Sequence, residues 1–172
     1  MNFHALISER ESIRSYDPDR KIPEDTLNRI LDAGRLAPSA CNNQPWEFIL
    51  VSSEEMLSKI RPCYKAAWFQ SAPHILIVKG FRNKAWIRPS DKYNSLETDL
   101  TIAMDHMILA AEFAEIGTCW VAAFNPVIMR KALNLKDDEE VFAITPLGYT
   151  PEEFKKYRKK NRKPFNEVVK FL

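Results

Sequence analysis

Glycine is scarce in this chain of 172 residues, which contains only Gly34, Gly80, Gly117 and Gly148. No two of these glycines lie within six residues of each other. The sequence therefore has neither the G-x-G-x-x-G turn of dinucleotide-binding folds nor the G-x-x-x-x-G-K-[ST] loop of nucleotide triphosphatases. A phosphorylated ligand would have to be held by side chains rather than by a glycine-rich backbone loop.

The chain also lacks the usual signals of metal binding, secretion and membrane insertion. Its three cysteines form no C-x-x-C pair and its three histidines are far apart, so we predict no metal site and a reducing compartment. Charged residues in the first turns exclude a signal peptide, and charged residues interrupt the longest apolar stretch, at 100–116. These features predict a cytoplasmic protein that does not enter a membrane.

Catalytic motifs are missing as well. The sequence has no G-x-S-x-G, no H-E-x-x-H and no obvious pair of acids. Cys41 has no residue near it in sequence that could serve as its base. The sequence by itself therefore names no catalytic side chain.

The composition supports one soluble domain over residues 1–172. Hydrophobic residues make up 45% of the chain and charged residues 28%, which is enough for a single core. Helices that alternate with strands are typical of an α/β or α+β fold. Apolar runs predict strands at 48–51, 74–78, 118–124 and 141–147, and apolar periodicity predicts helices between them.

The longest predicted helix, at 96–116, is apolar on nearly its whole circumference. Such a helix is buried in a large core or in a subunit interface. Gly117 is predicted to cap it.

The charge is distributed unevenly. The segment 152–170 contains eight Lys or Arg and three Glu, a net charge of +5, whereas the whole chain has +2. This basic tail indicates an anion site near the C-terminus, where Arg162 and Lys163 suit a terminal phosphate. The alternatives are a solvated basic surface and nonspecific contact with nucleic acid, for which the sequence has no supporting motif.

Two further segments have the composition of a binding site. Arg10 and Arg14 are four residues apart with Ser12 between them, so at a helix end they would share one face and grip a phosphate. The segment 38–46 is Pro-Ser-Ala-Cys-Asn-Asn-Gln-Pro-Trp, whose amide side chains suit the edge of a heteroaromatic ring. The alternatives are surface arginines paired with neighbouring glutamates, and an ordinary proline-bounded loop.

In their order along the chain, these segments resemble the nitroreductase family of FMN-dependent oxidoreductases. They span nearly the whole chain, and the piece around Gln44-Pro45-Trp46 is the most specific. The matching pieces are Arg10-Glu11-Ser12-Ile13-Arg14 (family pattern R-x-S-x-R), residues 37–46 (A-P-S-x-x-N-x-Q-P-W), Gly117-Thr118-Cys119-Trp120, Pro146-Leu147-Gly148-Tyr149 and Arg162-Lys163-Pro164.

The resemblance implies where the cofactor lies. The FMN phosphate and ribityl chain would meet the first segment and the basic tail, and the loop at 38–45 would reach the flavin from the other subunit. Two backbone N–H groups would lie near the reactive edge of the ring. The first segment would contribute Arg10, Glu11, Ser12 and Arg14, and the basic tail would contribute Arg162 and Lys163. The loop would contribute Pro38, Ser39, Ala40, Asn42 and Gln44. The two N–H groups would be those of Ala122 and Ala123.

The resemblance also implies a fold and a reaction. The family fold is α+β, a mixed β-sheet flanked by helices, in an intertwined homodimer with two flavins at the interface. The flavin takes a hydride from NADH or NADPH and passes electrons to a nitroaromatic, a quinone or a similar small-molecule acceptor, by a ping-pong mechanism without a catalytic side chain.

Some functional questions stay open at this point. The segment 79–95 is short, as in the small subgroup of the family, so Arg82, Trp86, Arg88 and Tyr93 are only candidates for substrate contact. A different flavin reaction (dehalogenation, dehydrogenation or flavin reduction) and a flavin sensor or storage protein without turnover are the alternatives. Neither nucleic acid nor a membrane is an expected partner.

Overall fold

The computed structural model describes residues 1–157 and 160–172 and confirms the predicted α+β architecture, with helices packed on both sides of a sheet. Arg158 and Lys159 of the basic tail lie outside the described residues. In chain order the elements are α1 (Phe3–Glu9), α2 (Glu24–Arg35), β1 (Trp46–Val51), α3 (Glu54–Ile60), α4 (Ala67–Gln70), β2 (His74–Phe81), α5 (Leu96–Phe113), β3 (Gly117–Thr118), α6 (Pro126–Leu133), β4 (Glu139–Gly148) and α7 (Phe165–Val168).

The four strands form one sheet in the order β1-β2-β4-β3, and each pair is antiparallel. In β1 and β2, Trp46 lies opposite Gly80 and Val51 opposite Ile75. A parallel bridge between Ser12 and Thr118 adds the N-terminal segment to the β3 edge. That bridge makes the sheet mixed and places residues 10–14 beside β3.

Strand β2 is buried on both faces, which explains its continuous apolar run. Leu76 and Val78 face the core formed with α2 and α5. Ile75 and Ile77 face a second core formed with α3 and α6. The sheet therefore separates two apolar layers, and α5 is the central helix of the first.

Two predicted boundaries at the end of α5 are wrong. The helix ends at Phe113 rather than at residue 116. Glu115 rather than Gly117 takes the left-handed conformation (φ 61°) that turns the chain, and the Ile116 N–H donates to the Ala111 carbonyl at 2.8 Å.

The strand predicted at 118–124 is only two residues long in the structure, as β3. Pairing with β4 is interrupted after Thr118, where the Cys119 N–H donates to the Thr145 hydroxyl instead of a backbone carbonyl, and it resumes as an isolated bridge between Val121 and Ile144.

Within the described residues, every helix is too short or too polar to cross a membrane.

Gly34 lets α2 approach α5 closely, and we predict that Gly34→Ala destabilises the fold. A Cβ at this position would lie 2.7 Å from Cγ and Sδ of Met107, which is fully buried. Overpacking of this kind costs about 1–3 kcal/mol, measurable as a lower midpoint of urea unfolding. Asn28→Ala, at an exposed position of the same helix, is the control and should change stability by less than about 0.5 kcal/mol. Equal midpoints for Gly34→Ala and the control would contradict the tight contact.

Candidate functional site

A cleft of about 240 Å³ brings the two ends of the chain together. Arg10 and Lys160, which are 150 residues apart in sequence, lie in contact there. The cleft is lined by Ser8, Glu9, Arg10, Glu11, Ser12, Lys160, Asn161 and Arg162. Four residues predicted from the sequence as cofactor contacts, Arg10, Glu11, Ser12 and Arg162, therefore meet in one place.

The first segment presents its polar side chains by a different geometry from the one predicted. Helix α1 ends at Glu9, so Arg10 and Arg14 do not share a helical face. The chain is extended through the Ser12 bridge, where alternate residues point to the same side. Arg10, Ser12 and Arg14 thus share a side because of the strand period of two, and Ile13 is completely buried between them.

The C-terminal strap (residues 150–157 and 160–163) is held against this segment by polar contacts. The Lys160 ammonium donates to the Arg10 carbonyl, and the Tyr157 N–H donates to the Glu11 carboxylate at 3.1 Å. Further along the molecule, Lys156 forms an ion pair with Glu112 of α5, which is only 4% exposed. These contacts fix the strap so that Lys160 and Arg162 line the cleft.

The electrostatics of the cleft favour an anion. Burial lowers the pKa of the Lys160 ammonium, and the positive charges of Arg10 and Arg162 lower it further. The opposing effects of Glu112 and Glu11 on Lys160 are smaller than those of the two arginines. A bound anion would relieve the repulsion between Lys160 and these arginines. Across residues 1–157 and 160–172, no cluster of His, Cys, Asp and Glu has the composition of a metal site.

Arg14 and Lys163 do not line this cleft. The Arg14 guanidinium lies over the Trp68 ring of α4, 5.9 Å from its centroid. It also lies near Cys119, which is 3% exposed and whose pKa is raised by burial, while the Arg14 charge opposes the rise. Arg14 is therefore held at the edge of the site by an aromatic contact that the sequence did not reveal.

The amide loop (residues 38–45) has an unusual backbone. Cys41, Asn42 and Gln44 all have positive φ angles, of 52°, 55° and 48°. Such angles are uncommon for non-glycine residues, and Asn tolerates them better than Cys or Gln. The amides of Asn42 and Gln44 are exposed, and the Gln44 Nε2 group donates to the carbonyl and the side-chain oxygen of Asn42, each at 3.2 Å.

The contacts that hold the amide loop were not predicted from the sequence. The Ala40 N–H donates to the carboxylate of Asp99 in α5 at 2.9 Å. The Gln44 N–H donates to the Ser39 hydroxyl at 2.9 Å, and the Asn43 amide donates to the Lys84 carbonyl at 3.1 Å. For the bond between Ala40 and Asp99, the only signal in the sequence is that Asp99 is an acid in the first turn of the helix predicted at 96–116.

The remaining predicted residues lie on exposed segments. Ala122 and Ala123 are exposed on the loop that follows β3. The segment 82–95 contains a tight turn in which Ile87 bridges Asn94, and its arginines are already paired. Arg88 pairs with Asp91 at 2.6 Å, and Arg82 pairs with Glu140 at 2.7 Å.

Comparison with known proteins identifies the family of the chain. A sequence model of the nitroreductase family matches residues 7–64 and 59–149. A protein of Archaeoglobus fulgidus that carries the provisional name NADH dehydrogenase/NAD(P)H nitroreductase is 32% identical over 152 residues, which are 86% of this chain and 85% of that protein.

Solved structures resemble the whole chain. A nitroreductase family protein from Clostridium difficile 630 superposes with a TM-score of 0.90 at 34% identity, covering 99% of this chain and 98% of that one. An FMN-dependent nitroreductase from Clostridium difficile R20291 gives 0.80 at 25% identity and covers 98% of both chains. Since the family match and these relatives extend over most of the sequence, the chain belongs to the nitroreductase family.

Proposed function

We propose that this protein is an FMN-dependent NAD(P)H oxidoreductase that reduces nitroaromatics, quinones or similar acceptors. The observation that carries the proposal is the basic cleft in which Arg10, Ser12 and Arg162 converge. The names of the relatives support it, because they specify NAD(P)H nitroreductase or FMN-dependent nitroreductase.

The donor set of the cleft fits the phosphate of a mononucleotide. Two guanidinium groups, an ammonium and a hydroxyl all donate hydrogen bonds, and guanidinium forks match the geometry of phosphate oxygens. Lys163, next to Arg162, and Arg14, held over Trp68, supply further positive charge near the cleft. The absence of a glycine cradle is consistent with this grip, because side chains supply every proposed phosphate contact.

The rest of the cofactor would lie along the amide loop and the segment after β3. Bound FMN would supply hydride and electron transfer between NAD(P)H and the acceptor. The protein residues bind and orient: Asn42 and Gln44 offer amide donors and acceptors to the ring edge, assisted by Pro38, Ser39 and Ala40, and Ala122 and Ala123 offer backbone N–H groups.

An exposed apolar groove of about 530 Å³ supports a homodimer. It lies between α1, α2 and α5 and is bordered by Phe3, Leu36 and Phe113, which are 69%, 64% and 62% exposed. Apolar surface of this kind is typical of subunit interfaces. The groove explains why α5 is apolar on sides that its own core does not cover, and a second subunit would bring the amide loop of one chain to the flavin of the other.

The first prediction concerns the activity itself. The purified protein should bind FMN stoichiometrically, and NADH or NADPH should bleach the visible absorbance of the bound oxidised flavin. Steady-state rates measured at several acceptor concentrations should give parallel double-reciprocal lines, as a ping-pong mechanism requires. Bound flavin that neither nucleotide reduces would instead favour a sensor or storage role, and a screen that includes halogenated acceptors would identify a different reaction.

The second prediction concerns the phosphate grip. Combining Arg10→Ala with Arg162→Ala should raise the Kd for FMN by about 100-fold or more, because each hydrogen bond to a charged group contributes about 1.5–3 kcal/mol. The Kd for riboflavin, which has no phosphate, should change little. Flavin fluorescence quenching measures both constants.

The matched control for the phosphate grip removes two cations elsewhere. Arg35 and Lys59 are exposed and pair with acids on their own helices, so the combination of Arg35→Ala with Lys59→Ala should leave both constants unchanged. An equal loss of FMN affinity in the control would mean that overall charge, not the cleft, attracts the cofactor. Full FMN affinity in the variant that lacks Arg10 and Arg162 would place the phosphate elsewhere.

The third prediction concerns the dimer. Phe113→Asp places a charge in the apolar groove and should convert the dimer into a monomer in sedimentation velocity. Val127→Asp is the control, because Val127 is 75% exposed on α6 outside the groove. A Phe113→Asp protein that remains dimeric would show that the subunits meet at another surface.

A further inference from the structure

We propose that Asp99 is a positioning residue that holds the amide loop in the conformation required to bind the flavin ring. The proposal rests on the proposed function, since it assumes that the loop contacts the flavin. Asp99 itself touches only protein groups, so its effect on the cofactor passes through the backbone of Ala40.

The first observation is the placement of the carboxylate. Asp99 is 2% exposed, in the opening turn of α5, and among the described residues it has no cation as a partner. One oxygen accepts from the Ala40 N–H at 2.9 Å, and the other accepts from the Ser95 hydroxyl at 2.8 Å. A carboxylate buried without a cation is costly, and the helix N-terminus offsets part of that cost. Its position therefore needs a reason beyond packing.

The second observation is the behaviour of Ser95. This residue precedes the first turn of α5, where a serine usually accepts a hydrogen bond from a helix N–H. Its side chain makes no such capping bond and instead donates to Asp99. Asn94 supplies an acceptor for the helix instead, since its Oδ1 accepts from the Leu96 N–H at 3.0 Å, and the Ser95 hydroxyl is left to orient this carboxylate.

The third observation is the strain in the loop that Asp99 holds. Cys41, Asn42 and Gln44 keep positive φ angles, which persist only where the surroundings impose them. The bond between Ser39 and Gln44 lies within the loop, and the Asn43 amide bonds to the exposed segment 82–95. At the end of the loop the buried Pro45 carbonyl accepts from the Phe81 N–H of β2 at 3.0 Å, and the bond to Asp99 is the contact that ties the earlier part of the loop to the buried core. Without it, the loop would relax toward less strained conformations and its amides would lose their fixed orientation.

A comparison of two flavins tests this role. In Asp99→Ala, the Kd values for FMN and riboflavin should both rise about tenfold, the effect of one charge-assisted hydrogen bond, with their ratio unchanged because the phosphate cleft is intact. Asp99→Asn keeps an acceptor for Ala40 and should fall between the wild type and Asp99→Ala. The visible circular dichroism of protein saturated with FMN should change in Asp99→Ala, as expected if the ring environment is altered. Asp105→Ala, at an exposed acid of the same helix, is the control and should match the wild type.

The outcomes separate this inference from the proposed function. If the wild-type protein binds FMN and Asp99→Ala leaves both affinities and the dichroism unchanged, the positioning role is overturned and the proposed function stands. A loss of FMN affinity without a loss of riboflavin affinity also overturns it, because the effect would then arise at the phosphate. Wild-type protein that binds neither flavin overturns both proposals.

A second variant covers the case in which Asp99→Ala does not fold. Ala40→Pro removes the N–H group that donates a hydrogen bond to Asp99. Ser39 already has the extended backbone (φ −139°, ψ 158°) that a following proline requires. It should weaken both flavins with the same unchanged ratio. Wild-type affinity for both flavins in Ala40→Pro overturns the proposal.

Discussion

Helix α5 is the constraint on which the rest of the molecule depends. It packs against both the sheet and α2, with Leu100, Met104 and Met107 completely buried. Its two buried carboxylates reach outward from that core. Asp99 holds the amide loop and Glu112 holds the C-terminal strap through Lys156. The two acids are about 20 Å apart along one rigid helix, so the loop and the strap keep a fixed separation.

The scarcity of glycine has a consequence in the backbone. None of the four glycines has a positive φ. They allow close approach instead, as Gly34 does between two helices and Gly117 does beside Ile13. Left-handed positions in the described residues are taken by other side chains, and three of these lie in the amide loop. Strain is therefore concentrated at the proposed cofactor site, where external contacts such as the one from Asp99 must hold it.

The parts of the fold that the sequence predicts well are those in which local pattern and tertiary environment agree. The run at 74–78 is a strand because β2 is buried on both faces. The predicted strand at 118–124 is reduced to β3 and a bridge at Val121, because a side chain, the Thr145 hydroxyl, takes the Cys119 N–H that would have continued the ladder. The shared side of Arg10, Ser12 and Arg14 was predicted from a helical period, whereas the extended chain produces it with a period of two. Asp99 was missed because its partner lies 59 residues away and leaves no local signal.

The cleft between the chain ends shows how a proposed phosphate site without a glycine cradle can be assembled from side chains. Lys160 lies near both Arg10 and Arg162, so that burial first, and then repulsion from these two charges, lowers the pKa of its ammonium group. Two contacts of the strap offset that repulsion: the pair of Lys156 with Glu112, and the bond from the Tyr157 N–H to Glu11. The contacts of the strap thus hold this positive charge in one place. In the proposed complex a dianionic phosphate would neutralise that charge, so its binding and the docking of the strap would stabilise each other.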